Sequence, residues 1–353
     1  MKQDFRCYFR AYSIFIIFCL STAAAAGASI IFSSCARIQY IFEQGRGQLK
    51  LQNSAKDNEV VLKNPQISKE YKQKIGEILE YKKFFYDFFS KANSKIYSKT
   101  TILDDQHVTY LVVASKFYEI KAKDECFPFV GCFPYLGFFS KESAYKYAND
   151  LEKEEYVTTV YPVNAYSTLG FFEDTILSSF FNYDRYQLAE LIFHELFHSI
   201  FFVKNKVELN ENLANFFAGE LVKLYFSKEQ KDVEELAKHQ RMEDNYDQIK
   251  SEIVKMVNIL QDRYSKEKPS TKELAQKILD SYLQHDFYPQ VKKLCEKFSL
   301  KNSQCYFLDK KWNNASFVSL LTYQRKFDEI AKIKSEMKLS LIDFYRYIEK
   351  NWN

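Results

Sequence analysis

Leu188-Ala189-Glu190-Leu191-Ile192-Phe193-His194-Glu195-Leu196-Phe197-His198-Ser199-Ile200-Phe201-Phe202 decides how the rest of the chain is read. It carries His-Glu-x-x-His inside a run rich in Leu, Ile and Phe, without Gly or Pro. Such a run predicts a buried helix. Histidines four residues apart fall on one helix face, about one turn apart, so both imidazoles can reach a single Zn²⁺. Glu195 follows the first histidine and can act as general base on a zinc-bound water. Unpaired buried charge is costly, and a metal supplies the partner. The chain has only five histidines, which weighs against a chance pairing.

Two histidines leave a catalytic zinc one protein ligand short of the usual three plus water. Glu211 follows His198 by thirteen residues, in Val207-Glu208-Leu209-Asn210-Glu211-Asn212-Leu213-Ala214. Between them, Lys204-Asn205-Lys206 is a polar break suited to a helix C-terminus. A second helix that starts there and packs against the first would aim Glu211 back at the metal. The alternative is that Glu208 and Glu211 are first-turn acids favoured by the helix dipole. Glu211 is therefore the expected third ligand, Glu208 the fallback. Asn210, or a carboxylate near either histidine, is a candidate for orienting the ligands.

Ile192-Phe193-His194-Glu195-Leu196-Phe197-His198 followed by Asn210-Glu211 resembles the core of a bacterial family of zinc aminopeptidases, many of them lipoproteins. The two-helix arrangement is also similar to that of gluzincins. Four further stretches carry the family resemblance, which spans Cys35 to Tyr323. The first is Tyr40-Ile41-Phe42-Glu43-Gln44-Gly45-Arg46-Gly47-Gln48-Leu49, a few residues after Cys35. The second is Cys126-Phe127-Pro128-Phe129-Val130-Gly131-Cys132, followed by aromatic residues and Gly137. The third runs from Asn164-Ala165-Tyr166 to Glu173-Asp174, and the fourth is Trp312-Asn313-Asn314-Ala315 with Thr322-Tyr323. The resemblance implies peptide-bond hydrolysis with zinc as cofactor and a peptide or protein substrate. In zinc peptidases an edge strand commonly lies beside the metal helix and pairs with extended substrate. The third stretch is the candidate for that edge. Tyr166 and Tyr323 are candidate donors to the tetrahedral oxyanion. An aminopeptidase also needs an acid to bind the substrate α-amine, for which Glu173 and Asp174 are candidates. The competing readings are a zinc endopeptidase and a non-catalytic envelope lipoprotein that uses the fold for binding.

The N-terminal 34 residues read as a targeting segment. A basic start precedes Ile14-Phe15-Ile16-Ile17-Phe18-Cys19-Leu20, then Ala23 to Ala26, then Ile30-Ile31-Phe32-Ser33-Ser34-Cys35. Phe32-Ser33-Ser34-Cys35 looks like a relaxed bacterial lipobox with Cys35 as the acylated residue. The stretch is also long enough to span a bilayer, so a retained transmembrane helix is the alternative. Either way the expected location is the bacterial cell envelope, with the protein held by an N-terminal membrane anchor and facing the periplasm or exterior. With Cys7 and Cys19 in the targeting segment and Cys35 set aside, Cys126, Cys132, Cys295 and Cys305 remain. The spacing of Cys126 and Cys132, with Pro and Gly between, permits a loop closed by a disulfide. Four cysteines allow three connectivities, and buried free thiols are the alternative.

Hydrophobic residues make up 46% and charged residues 27% of the 353-residue chain, as in a globular protein. Net charge is +4, half of it from residues 1–34, where Lys2, Arg6 and Arg10 outweigh Asp4. This bias is too weak for electrostatic nucleic-acid binding. Periodicity predicts helices over 66–92 and 140–153, and strands over 108–115 and 156–161, with 117–120 a possible continuation. After residue 226 the chain reads as mostly helical, with a break at Pro269 and a cap at Ser270 or Thr271. His239 and His285 read as surface residues. The expected fold is α+β, a mostly helical, zincin-like metalloprotease fold with a small, mainly antiparallel sheet near residues 108–163. The zinc helices are expected to pack beneath that sheet. Residues 1–34 form the signal and 35–353 the peptidase domain, with active-site helices over about 185–228 and a helical part over 229–353.

Overall fold

Five helices begin where the sequence offers a side-chain acceptor to the free N–H groups of a first turn. Ser68, Ser140, Asp184, Thr271 and Ser340 each accept a backbone N–H two or three residues ahead. These features come from a computed structural model, which describes residues 27–127, 131–164, 174–203, 206–228, 230–322 and 327–352.

In chain order the elements are α1 (Gly27–Ser54), β1 (Lys56–Asp57), α2 (Asn58–Lys63), α3 (Lys69–Phe89), β2 (Lys99–Thr101), β3 (Thr109–Lys116), β4 (Glu125–Phe127), β5 (Gly131–Phe133), β6 (Leu136–Phe138), α4 (Lys141–Glu152), β7 (Tyr156–Val163) and β8 (Ile176–Leu177). They continue with α5 (Arg185–Ile200), α6 (Val207–Phe226), α7 (Gln230–Glu267), α8 (Lys272–Tyr282), α9 (Tyr288–Lys297), α10 (Tyr306–Asp309), α11 (Asn314–Thr322), α12 (Phe327–Met337) and α13 (Leu341–Asn351). A π-helical turn at Leu283–Phe287 joins α8 to α9. The fold is α+β and mostly helical, with small, mainly antiparallel sheets, as expected. Among the described residues no helix is long and apolar enough to cross a membrane.

The chain divides into two units, residues 1–50 and 51–353. The described part of the first is the helix α1. The second contains three small sheets. One has the order β6-β3-β7, antiparallel throughout, with Val112 opposite both Leu136 and Val160. Another has the order β1-β2-β8, in which β2 and β8 run parallel. The third is the hairpin β4–β5, where Cys126 and Cys132 face each other and form a disulfide. A second disulfide joins Cys295 to Cys305. Residues 117–120 do not extend β3. The chain turns there, and Phe117 enters the core formed by the C-terminal helices.

Two cores fill the second unit. The first joins α3, α5, α6 and α13, with Tyr81, Phe85, Phe89, Phe193, Phe197, Phe217 and Tyr345 at its centre. The second joins α7, α8, α9 and α11 around Leu260, Tyr282, Phe287, Val291 and Phe317. The metal helices do not pack beneath the central sheet. Its strands carry α4 and α11, and Val113 meets Ala315 and Val318 of α11. The helices α5 and α6 pack on each other, with α3 and α12 beside them. The reason is composition. The aromatic side chains of α5 and α6 match those of α3 and α13, whereas α4 and α11 offer Ala144, Ala148 and Ala315, small enough to lie flat on a sheet.

The fourth family stretch has a structural role. Asn314 is buried, and its Nδ2 donates to the carbonyls of Lys116, Phe117 and Glu119 at 3.0–3.1 Å. Its Oδ1 accepts from the hydroxyl of Tyr264 at 3.0 Å. The Nδ2 of the preceding Asn313 donates to the carbonyl of Thr158 on β7 at 2.9 Å. One dipeptide thus ties α11 to both long strands and to α7. An unmade buried hydrogen bond costs about 1–3 kcal/mol per orphaned group. Asn314→Ala should therefore lower unfolding stability by at least about 2 kcal/mol in a urea titration. A loss below about 0.5 kcal/mol, the range of ordinary surface changes, would show that the clamp is dispensable.

Candidate metal centre

Helix α5 starts at a capping box. Asp184 accepts from the N–H groups of Tyr186 and Gln187, and the Gln187 side chain accepts from the Asp184 N–H. Leu188, Ala189, Ile192, Phe193, Leu196 and Phe197 then form one wholly buried face. This face fixes the rotation of the helix, and with it the direction in which His194 and His198 point. Arg185 holds the same end by pairing with Asp232 of α7 at 2.7 Å.

The chain reverses after α5, and Asn210 defines the reversal. Its Oδ1 accepts from the N–H of Val203 at 2.9 Å, and its Nδ2 donates to the carbonyl of Val203 at 2.8 Å. The side-chain amide thus pairs with both backbone groups of one residue, as a neighbouring antiparallel strand would. Asn210 itself is 2% exposed. Both of these bonds go to the loop, so Asn210 acts on the centre through the position of its neighbour Glu211. Fixing Asn210 fixes its neighbour Glu211 at the first turn of α6. Further along, Phe217 stacks on Phe197 with centroids 4.6 Å apart, and Ala214 and Ala218 are buried in the same core.

The result is a convergence of three donor groups. His194 Nε2 lies 3.3 Å from Glu211 Oε2, and His198 Nε2 lies 3.3 Å from Glu211 Oε1. The two Nε2 atoms are 3.3 Å apart. His194, His198 and Glu211 form the group of His, Cys, Asp and Glu side chains that could hold a metal ion among the described residues. The His198 side chain is 5% exposed and that of Glu211 47%, so the site opens to solvent on the α6 side.

These residues fit a zinc ion. A tetrahedron with zinc–ligand distances of about 2.0–2.1 Å has edges of about 3.3–3.4 Å, which matches the 3.3 Å between the two imidazole Nε2 atoms, while the Glu211 carboxylate turns a different oxygen to each of them. Two imidazole nitrogens and one carboxylate are also a donor set that catalytic zinc uses. Two buried atoms beside them have no hydrogen-bond partner among the described residues: His198 Nδ1 and Glu195 Oε2. Burial alone would raise the Glu211 carboxyl, but hydrogen bonds from His194 and His198 outweigh it and hold the group well below the usual carboxylate range. Glu195 moves the other way. Burial pushes its carboxyl up, against the pull of the two histidines, and the charges of Glu211 and Asp174 add to the rise. The two carboxyl groups thus shift in opposite directions, Glu211 down and Glu195 up.

Other expected site residues are distributed differently. Tyr166, Glu173 and Tyr323 lie outside the described residues. Glu208 is at the start of α6. Asp174 is close enough to act electrostatically on Glu195, and its carbonyl accepts from the N–H of Tyr97 at 2.7 Å. His239 is 16% exposed and stacks on Tyr186, so it is not a surface residue, whereas His285 is exposed. Tyr97 was not legible as a site residue. It is 2% exposed, and its backbone is left-handed with φ of 60°. A bulky residue adopts that conformation only where its surroundings impose it. Burial raises its phenol well above the ordinary range, and the charge of Glu195 adds to this. Nothing in the sequence separates it from the other 25 tyrosines.

No curated protein and no solved structure gives a significant match to this chain. A family model described as "Putative aminopeptidase" matches residues 39–351. The match takes in α5, α6, the three converging donors and both disulfides, and the chain therefore belongs to the "Putative aminopeptidase" family.

Proposed function

We propose that the chain is a zinc-dependent peptidase of the aminopeptidase type, with a zincin-like pair of helices, α5 and α6, at its centre. One observation carries this reading: two histidines and a carboxylate from different helices meet beside a second carboxylate that burial keeps protonatable. In this reading His194, His198 and Glu211 are the metal ligands. A zinc ion held there supplies Lewis acidity toward the scissile carbonyl and the attacking water. Glu195 takes a proton from that water and passes it to the leaving amine. Its raised carboxyl suits both halves of the transfer better than an ordinary exposed glutamate would. Asp174 is the described acid best placed to bind a substrate α-amine, because it already shares the field of Glu195. Oxyanion donation is assigned to Tyr166 or Tyr323.

We also read residues 1–34 as an export signal and Cys35 as the site of lipid attachment, which places the protein in a bacterial cell envelope. Support comes from the two disulfides, which persist in oxidising compartments. Cys35→Ala should release the protein from the membrane fraction or block its maturation. A variant that stays membrane-bound with an intact N-terminus would favour a retained transmembrane helix.

Purified residues 36–353 should bind about one zinc per chain, through three protein ligands. His194→Ala should abolish that zinc. Equal metal content in both proteins would sink the proposed site.

Glu195→Gln should keep zinc and fold but lose activity by about 10²–10⁴-fold, the usual range for a general base. The amide has the shape of the carboxylate but accepts no proton at neutral pH. The same assay separates exopeptidase from endopeptidase if each peptide is offered with a free and with an acetylated N-terminus. An aminopeptidase cleaves only the free form. Equal cleavage of both forms would make the protein an endopeptidase. If the zinc-loaded wild type cleaves neither across a broad peptide set, a binding role replaces hydrolysis.

A further inference from the structure

In the second half of α1, the exposed positions are Ile41, Phe42, Gly45, Arg46, Leu49, Lys50, Asn53 and Ser54. They recur in steps of about four residues, the spacing of a single helix face. Ile41 is 57% exposed, Phe42 75% and Leu49 58%. Single exposed apolar side chains need no explanation, but three large ones on one stripe mark an interaction surface.

We propose that this face rests on an anionic membrane surface. The charge on the stripe fits that partner: Arg46 and Lys50 alternate with the apolar residues, and between Cys35 and Ser54 three basic residues stand against the single acid Glu43. Large apolar side chains interleaved with Lys and Arg are the composition of a helix lying in the headgroup region. Continuity of the chain points the same way. The apolar run that begins at Ile14 ends at Phe32, only nine residues before Ile41. Cys35, Phe42 and Leu49 are spaced by seven residues, about two helical turns each. A membrane reached through the N-terminus would therefore meet this stripe next. The proposal rests on the reading of residues 1–34 as membrane-directed, but neither on the peptidase reading nor on acylation of Cys35.

The test uses residues 36–353, which lack the apolar run and Cys35 but keep the whole second unit with its own cores. Protein is sedimented with vesicles of phosphatidylcholine and phosphatidylglycerol at about three to one, and with vesicles of phosphatidylcholine alone. The wild type should bind the anionic vesicles and release as salt rises. Phe42→Ser with Leu49→Ser should lower the bound fraction at least about fivefold. Arg46→Gln with Lys50→Gln should lower binding to anionic vesicles while leaving the weak binding to neutral ones unchanged. Unchanged circular dichroism and zinc content in both variants confirm that the fold is intact. Failure of the wild type to sediment with anionic vesicles, or equal binding by the Phe42/Leu49 variant, would overturn the proposal. So would a concentration-dependent dimer that the same variant abolishes, because the stripe would then bind a second copy of the chain.

Discussion

Two histidines on one helix cannot close a three-ligand site, so the centre depends on a reversal of the chain that returns a carboxylate to them. That reversal follows Ile200, and the pairing of the Asn210 amide with both the N–H and the carbonyl of Val203 sets it. Everything else about the centre follows from this. Once Asn210 is fixed, α6 leaves at one angle, Phe217 lands on Phe197, and Glu211 stands over the two imidazoles. Glu211 pairs with both histidines, but not every polar atom of the centre is matched. His198 Nδ1 and Glu195 Oε2 are buried without a partner among the described residues, which costs free energy. Packing of Leu188, Ile192, Phe193, Leu196 and Phe197 offsets that cost, at about 1.5–3 kcal/mol for each large side chain buried.

The sheet stands apart from that core and buttresses it. Its longest pairing, β3 with β7, runs over eight residues and is tied to the C-terminal helices through Asn313 and Asn314. The connection to the centre is made at the other sheet. There the parallel pair β2–β8 holds the segment that leads from Asp174 into α5. Tyr97 lies just before β2, bonded to Asp174 through its N–H and to Asn58 through its carbonyl. The approach to Glu195 is thus framed by backbone pairing and not by side chains alone.

The sequence made the histidine pair legible because helical periodicity is local: His194 and His198 need only the helix they sit on. Glu211 was legible as a candidate because the polar break and the residues after it signal a new helix. Its convergence with the histidines depends on Asn210, however, and that bond forms only once the loop is folded. Family resemblance marked Trp312-Asn313-Asn314 without a reason, and the reason is a clamp on strands more than 150 residues away in sequence. The strands β1, β2 and β8 are two or three residues long and carry no period of their own. The error of placing the metal helices beneath the central sheet has a physical source. Amphipathic pattern shows that a helix has a face to bury but not which element receives it.

Helix α7 runs without a break from Gln230 to Glu267, a length of about 57 Å at 1.5 Å per residue. Leu236 near its start belongs to the core behind the metal centre, whereas Ile249, Ile253, Val257 and Leu260 belong to the other core. None of its residues between Leu236 and Ile249 is fully buried. The helix is therefore a strut with two anchored ends and a less buried span, held at points by His239 on Tyr186 and by Tyr246 against Tyr306 and the Gln304 carbonyl. Amide exchange should be fastest along that span and slow at both ends. A molecule built this way has two cooperative blocks sharing one element, so a single unfolding midpoint averages two events. Loss of the block built on α8, α9 and α11 would leave the histidine helix with its own core still around it.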